Sequence, residues 1–132
     1  MSKRKQKSWQ SRFSQSAHAL TESYVESLSF DRRLWRHDIA GSVAHAEMLA
    51  QVGLISKADL SAIRRGLRAI EADVRSGRFK WDPACEDVHM AIEGALIARI
   101  GRPGQRLHTA RSRNDQIALD LRLYVRDAID LD

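Results

Sequence analysis

Ser56-Lys57-Ala58-Asp59-Leu60-Ser61-Ala62-Ile63-Arg64-Arg65-Gly66-Leu67-Arg68-Ala69-Ile70-Glu71-Ala72-Asp73-Val74 is the stretch that decides the fold class. Leu60, Ile63, Leu67, Ile70 and Val74 recur at alternating spacings of three and four, the stripe of an amphipathic helix. Arg64, Arg65, Arg68, Glu71 and Arg75 fall on the outer face. Ser56 reads as an N-cap with acidic Asp59 in the first turn, and Gly77 closes the segment. A pattern of this length suits one helix of a bundle better than a coiled coil.

Outward from it, helical signals continue on both sides. Toward the N-terminus, Trp35, Ile39, Val43, Ala46 and Leu49 share one face of a helix expected from Asp31, as its cap, to about Val52, with Gly53 as its stop. Gly41, Ser42 and Ala44 inside it predict close packing against another helix. A shorter helix is expected over 17–28, carrying Leu20, Tyr24, Val25 and Leu28, with a turn at Ser27-Leu28-Ser29-Phe30. Residues 1–16 read either as a disordered tail or as an arm anchored by Trp9 and Phe13. Toward the C-terminus, Phe79 to Cys85 is a connector, and Glu86-Asp87 lead a helix to about Ile100. Gly101 stops it, Arg102-Pro103-Gly104 forbids continuation, and a loop is expected up to a last helix from about Ser112. Ile117, Leu121, Tyr124 and Ala128 form the stripe of that helix. Its apolar pattern runs on through Ile129 and Leu131 without a stop signal, so a truncated piece of a longer protein is expected. No strand alternation or hairpin turn occurs. The expected fold class is all-α.

The chain has 132 residues, 43% apolar and 30% charged, which fits one ordinary globular domain. Lys3, Arg4, Lys5 and Lys7 carry much of the formal net charge of +5. Arg99, Arg102, Arg106, Arg111 and Arg113 form a second basic run containing no acidic residue, a local field suited to a carboxylate or phosphate. The lone Cys85 excludes an intrachain disulfide and fits a reducing compartment, and it lies beside two acids that disfavour a nucleophilic thiolate. No signal peptide or apolar run of membrane-spanning length is evident, so a cytoplasmic setting is expected.

The densest polar chemistry lies in Leu107-His108-Thr109-Ala110-Arg111-Ser112-Arg113-Asn114-Asp115-Gln116. Two arginines two apart in a loop can aim their forks at one anion, and Asn114 can both donate and accept. A helix starting near Ser112 would add free backbone N–H groups to the same site. The alternative is that Ser112 or Asn114 caps a helix while the arginines are solvated; spacing does not separate the two. His89 and Glu93, four apart on a helix, share a face and can pair as acid and base or as metal ligands. Two ligands are too few for a metal site, and a partly buried, hydrogen-bonded histidine is the preferred reading. His37 and His45 receive no role. The basic segments offer only half of a nucleic-acid surface, because the last helix carries Asp115, Asp120 and Asp127.

The loop block closely resembles the N-terminal signature of argininosuccinate lyases. Other blocks are similar to the same family in the same order: Arg12-Phe13; Phe30-Asp31 with Arg33-Leu34; Asp38-Ile39; Gly41-Ser42-Val43-Ala44-His45; Glu86-Asp87-Val88-His89 with Glu93; and Asp120 to Tyr124. Two departures stand out. Gln10-Ser11 replaces paired glycines near Trp9, and Ala110 replaces a glycine, demanding φ < 0 or mild strain.

The resemblance implies a fumarase/aspartase-type fold: a basic tail or arm over 1–16, an N-terminal helical domain over 17–111, and the start of a long central-bundle helix over 112–132. It implies a homotetramer with composite active sites and the cleavage of argininosuccinate to arginine and fumarate, with no cofactor and no metal. Ser27, Arg113 and Asn114 are implied to bind substrate. Asp87, His89, Thr109, Arg111 and Ser112 are implied to support the site. The family's catalytic serine and histidine would lie beyond residue 132, so an inactive isolated chain is expected. Two other readings compete: a non-catalytic truncated subunit that assembles with an intact lyase, and a basic nucleic-acid-binding module.

Overall fold

The computed structural model describes residues 19–130; Trp9, Phe13, the basic tail and the Gln10-Ser11 departure lie outside them. Among the described residues every regular element is helical: α1 (Ala19–Val25), α2 (Leu28–Asp31), a 3-10 turn (Arg32–Leu34), α3 (Trp35–Gln51), α4 (Lys57–Arg75), α5 (Val88–Ile100), α6 (Arg102–Arg106) and α7 (Arg113–Asp130). The all-α expectation holds.

The apolar stripe of α4 forms the centre. Ile63, Leu67 and Ile70 are fully buried against Ala46 and Leu49 of α3 and against Val88, Ile92 and Leu96 of α5. Burying each large aliphatic side chain contributes roughly 1.5–3 kcal/mol, so this three-helix contact is the main source of stability. Gly66 lets α4 approach α5: a Cβ there would lie 2.5 Å from Leu96 Cδ1 and 3.2 Å from Ile100 Cγ2. Leu96 is itself fully buried and has little room to yield. At the start of α4, Ser56 Oγ accepts from Asp59 N at 3.0 Å and Asp59 Oδ2 accepts from Ser56 N at 3.2 Å, a full capping box. Asp59 also receives Arg106 of α6 at 2.5 Å.

Several boundaries differ from the sequence reading. The helix expected from Asp31 to Val52 begins instead at Trp35, wound out of a 3-10 turn. Asp31 does not cap it; its carboxylate accepts from Val88 N at 3.0 Å and so caps α5 from another element. Asp87, the N-cap residue of α5, accepts from Met90 N at 2.6 Å. The turn expected at 27–30 is mostly the one-turn helix α2, and Leu20 and Tyr24 of α1 are exposed. Within the segment expected to be a loop after Gly101, the chain restarts as α6 because Pro103 sits in its first turn, where a missing N–H is harmless.

The largest correction concerns α7. Ile117 and Leu121 of its expected core stripe are 41% and 54% exposed, while Gln116 and Asp120 are buried. The helix docks on α3 by its polar face, and Gly41 allows the approach: a Cβ there would meet Leu119 Cδ2 at 2.9 Å. Further along, His37 of α3 lies 2.8 Å from Asp127 and stands edge-on to Tyr124.

Candidate functional site

The polar face of α7, the α5 N-terminus and the middle of α3 enclose one cluster. Asp38 Oδ1 accepts from His89 Nδ1 at 2.9 Å and from Gln116 Nε2. Asp120 Oδ2 lies 3.3 Å from the same His89 nitrogen. Asp38 and Asp120 are 1% and 0% exposed. Burial pushes the Asp38 carboxyl up, but the His89 and Gln116 hydrogen bonds and the Arg111 charge hold it below the usual range. Asp120 lacks such donors; burial first, then the neighbouring Asp38 charge, push it up to about 7. His89 is driven down by burial and more strongly up by Asp38, Asp87 and Asp120, so its net shift is upward. Asp38, His89 and Asp120 each place one atom capable of binding a cation within 4.8 Å of the others. Nδ1 of His89 and Oδ1 of Asp38 face each other across a hydrogen bond.

Beside the cluster is a cavity of about 10 Å³, on the scale of one water molecule, lined by Ser42, His89, Glu93, His108, Arg111 and Gln116 among others. Burial, helped by the Arg113 and Arg111 charges, lowers the His108 pKa despite nearby Glu93. His108 Nδ1 and Arg111 Nε are buried with no hydrogen-bond partner among the described residues. A wider groove of about 540 Å³ runs past Phe30, Trp35 and Trp81, with Arg32 and Arg33 at its edge. Among the described residues its lining has no imidazole or carboxylate, unlike the small cavity.

The two loop arginines do not converge on one outside anion as the spacing allowed. Arg111 turns inward, 3.3 Å from Ser42 Oγ, and burial lowers its pKa. Arg113 donates to Glu93 at 3.1 Å and to Gln116 Oε1 at 2.7 Å, with Asp87 at 3.8 Å. Glu93 therefore pairs with Arg113 and not with His89, which is the buried, hydrogen-bonded histidine preferred from the sequence. Nor are the first amides around the α7 start free for an anion. Ser112 N donates to Asp115 at 3.1 Å and Asn114 N to Ser112 Oγ at 3.2 Å, so the capping half of the alternative holds, while both arginines are half-buried and partnered rather than solvated. Asn114 itself is exposed. Thr109 contributes its carbonyl, which accepts from His45 Nε2 at 2.9 Å. Ala110 adopts φ 55, so of the two outcomes expected there it takes the strained one, a methyl held in the left-handed region.

Ser27 sits at the mouth of α5. Its N–H donates to Glu86 O at 2.8 Å and its hydroxyl to Asp31 Oδ2 at 2.6 Å. The fold thus gathers Asp87, His89, Arg111 and Arg113 around one seam, with Ser27 joined to it through Asp31 and Val88. Asp38, Gln116 and Asp120 carry no role in the sequence reading, yet they form the centre of this cluster. The available signal was the polar series Gln116, Asp120, Asp127, spaced by four and seven on a helix whose apolar residues seemed the obvious core.

Residues 11–132 match a family model described as lyase. The chain is 54% identical over 125 residues to the argininosuccinate lyase of Nitrosococcus oceani, covering 95% of this chain and 27% of that protein. It is 54% identical over 124 residues to that of Thioalkalivibrio sulfidiphilus, covering 94% and 27%, and 54% identical over 123 residues to that of Moorella thermoacetica, covering 93% and 26%. The chain spans about a quarter of the length of these curated relatives. With the match running through every element from α1 to the end of α7, the chain belongs to the lyase family.

Proposed function

We propose that this chain forms one wall of an argininosuccinate lyase site, within a longer protein that cleaves argininosuccinate to arginine and fumarate. The observation that carries the reading is the gathering of Arg111, Arg113, Asp87 and His89 at one seam in a chain about half identical to lyases of that name. In the reaction a base removes a carbon-bound proton beside a carboxylate, the C–N bond breaks, and the guanidino nitrogen leaves protonated as arginine. The electron pair becomes the double bond of fumarate. Negative charge develops on the substrate carboxylate, and fixed cations and donors stabilise it. Arg113 and Asn114 are assigned to substrate carboxylates, with Ser27 at the other end of the seam. Asp87 steadies Arg113, while Thr109, Arg111 and Ser112 fix the loop. The serine base and histidine acid belong to segments outside this one. No cofactor or metal is assigned.

Homotetramer assembly in the cytoplasm completes the reading. Ile117, Leu121, Val125 and Ile129 give α7 an exposed apolar face suited to other helices, and among the described residues no helix is long and apolar enough to cross a membrane. The test is fumarate release from argininosuccinate. Full-length protein carrying this segment should turn over, Arg113→Ala should lower kcat/KM by roughly 100-fold or more, and the 132-residue chain alone should be inactive. Absence of fumarate release by the full-length protein refutes the lyase reading. Turnover by the isolated chain refutes the division of labour.

A further inference from the structure

We propose that Asp38 and Asp120 are positioning residues that share one proton between α3 and α7 and so hold His89 with its Nδ1–H on Asp38. For catalysis this rests on the lyase reading above; for geometry it does not.

Asp38 Oδ1 takes two donors, His89 Nδ1 and Gln116 Nε2, and two donors on one oxygen favour the ionised form there. Asp120 is equally enclosed, yet neither of its oxygens receives a hydrogen bond from a described residue. The single His89 Nδ1 proton is taken by Asp38 at 2.9 Å, leaving Asp120, at 3.3 Å from that nitrogen, without it. Two enclosed carboxylates side by side do not both ionise, because desolvation and mutual repulsion act together. A protonated Asp120 resolves both difficulties: its O–H becomes a donor, and the Asp38 carboxylate against it is the acceptor. The charges facing this proton are Asp38 from α3, His89 from α5 and Arg111 from the loop, with Asp87 and Asp31 beyond His89 at the α5 N-terminus. With Asp120 neutral, one carboxylate is left opposite one guanidinium. The Asp38 acceptor fixes the tautomer, and Nε2 is then the His89 nitrogen through which the ring can act at the adjoining cavity.

The test is an NMR titration of the 132-residue chain labelled with [15N]histidine, with His89 assigned through its backbone. The neutral His89 ring is expected to carry its proton on Nδ1, and its signal to titrate in two coupled steps between about pH 5 and 9. Asp120→Asn, whose amide can still donate to Asp38, should keep that tautomer and collapse the titration to one step. An Nε2-protonated neutral ring, or one step in both proteins, overturns the shared proton. If the variant fails to fold, the carboxyl 13C shift of Asp120 in the unaltered chain decides. Titration near neutrality supports the proposal, and titration complete below about pH 5 overturns it. In the full-length protein Asp120→Asn should shift the kcat–pH profile with KM changed less than kcat. An unshifted profile beside the collapsed titration supports the shared proton and overturns His89 as a support of the lyase site.

Discussion

Two interfaces converge on α3 and differ in kind. The one with α4 and α5 is dry and aliphatic, built from Leu49, Ile63, Leu67, Ile70 and Leu96. The one with α7 is polar, built from Asp38, Gln116, Asp120, His37 and Asp127. A dry interface is non-directional and tolerates exchange of one aliphatic for another of similar volume. A polar seam is directional, since each donor there has a required acceptor and an unmatched group costs more than a matched one contributes. The first accounts for stability; the second accounts for where the functional side chains point.

The contrast is sharpest in Leu67→Ala, which should destabilise the chain by about 2–5 kcal/mol through lost burial and a cavity. A urea midpoint measures it, and a negligible change would mean that the aliphatic centre does not dominate stability. Next comes Asp38→Ala, which strands Gln116 Nε2 at roughly 1–3 kcal/mol for the unsatisfied group and leaves His89 Nδ1 only the longer contact to Asp120 at 3.3 Å. A urea midpoint unchanged by that variant would reduce the seam to packing.

The pH dependence should also separate the two regions. Asp120 has a folded pKa of about 7 against 3.8 for an ordinary aspartate, so the folded state holds more protons and stability falls as pH rises from about 4 to 7. His89, raised above 6.5, adds stability below that value that is lost as pH climbs through its folded pKa. Asp38, held low, acts in the other direction and only at the acid end, where its contribution disappears as pH falls below 3.8. Thermal melts should therefore show a higher Tm near pH 5.5 than near pH 8, with a flatter dependence in Asp120→Asn. The smallest effect expected is in Ala110→Gly. Relief of the left-handed alanine, worth about 1–2 kcal/mol, is partly offset by about 0.4–1 kcal/mol of unfolded-state entropy. A small rise in Tm is the expected outcome, and a fall would mean that the loop tolerates φ 55 without strain.

What was legible in the sequence follows the same division. The stripe from Leu60 to Val74 placed α4 to within a residue at its start, because burial against an aliphatic neighbour imposes a 3.6-residue period. The cap at Asp87 was legible as acidic residues leading a helix. For α7 the period rule points to the wrong face, since it assumes that the buried face is the apolar one. Its polar face is covered here and its apolar face is open. Local capping rules point Asp31 to the nearest helix, whereas its carboxylate serves Val88 across 57 positions of chain. The candidate residues Asp87, His89, Arg111 and Arg113 were found as members of signature blocks. The Asp38–His89–Asp120 geometry that arranges them depends on contacts across three helices, which no local spacing encodes.

The Asp31–Val88 bond also ties the birth of one helix to the arrival of another. The first turn of α5 lacks its full set of acceptors until α2 has docked, so α5 should fray at Val88 in any partly folded form that keeps α4 and α5 together. The Val88 amide then becomes a clock for long-range closure. Its hydrogen exchange should follow opening of the α2 contact, while the amides of Ile92 and Leu96, deeper in the same helix, exchange only with global unfolding. Two neighbouring turns of one helix would report two different events.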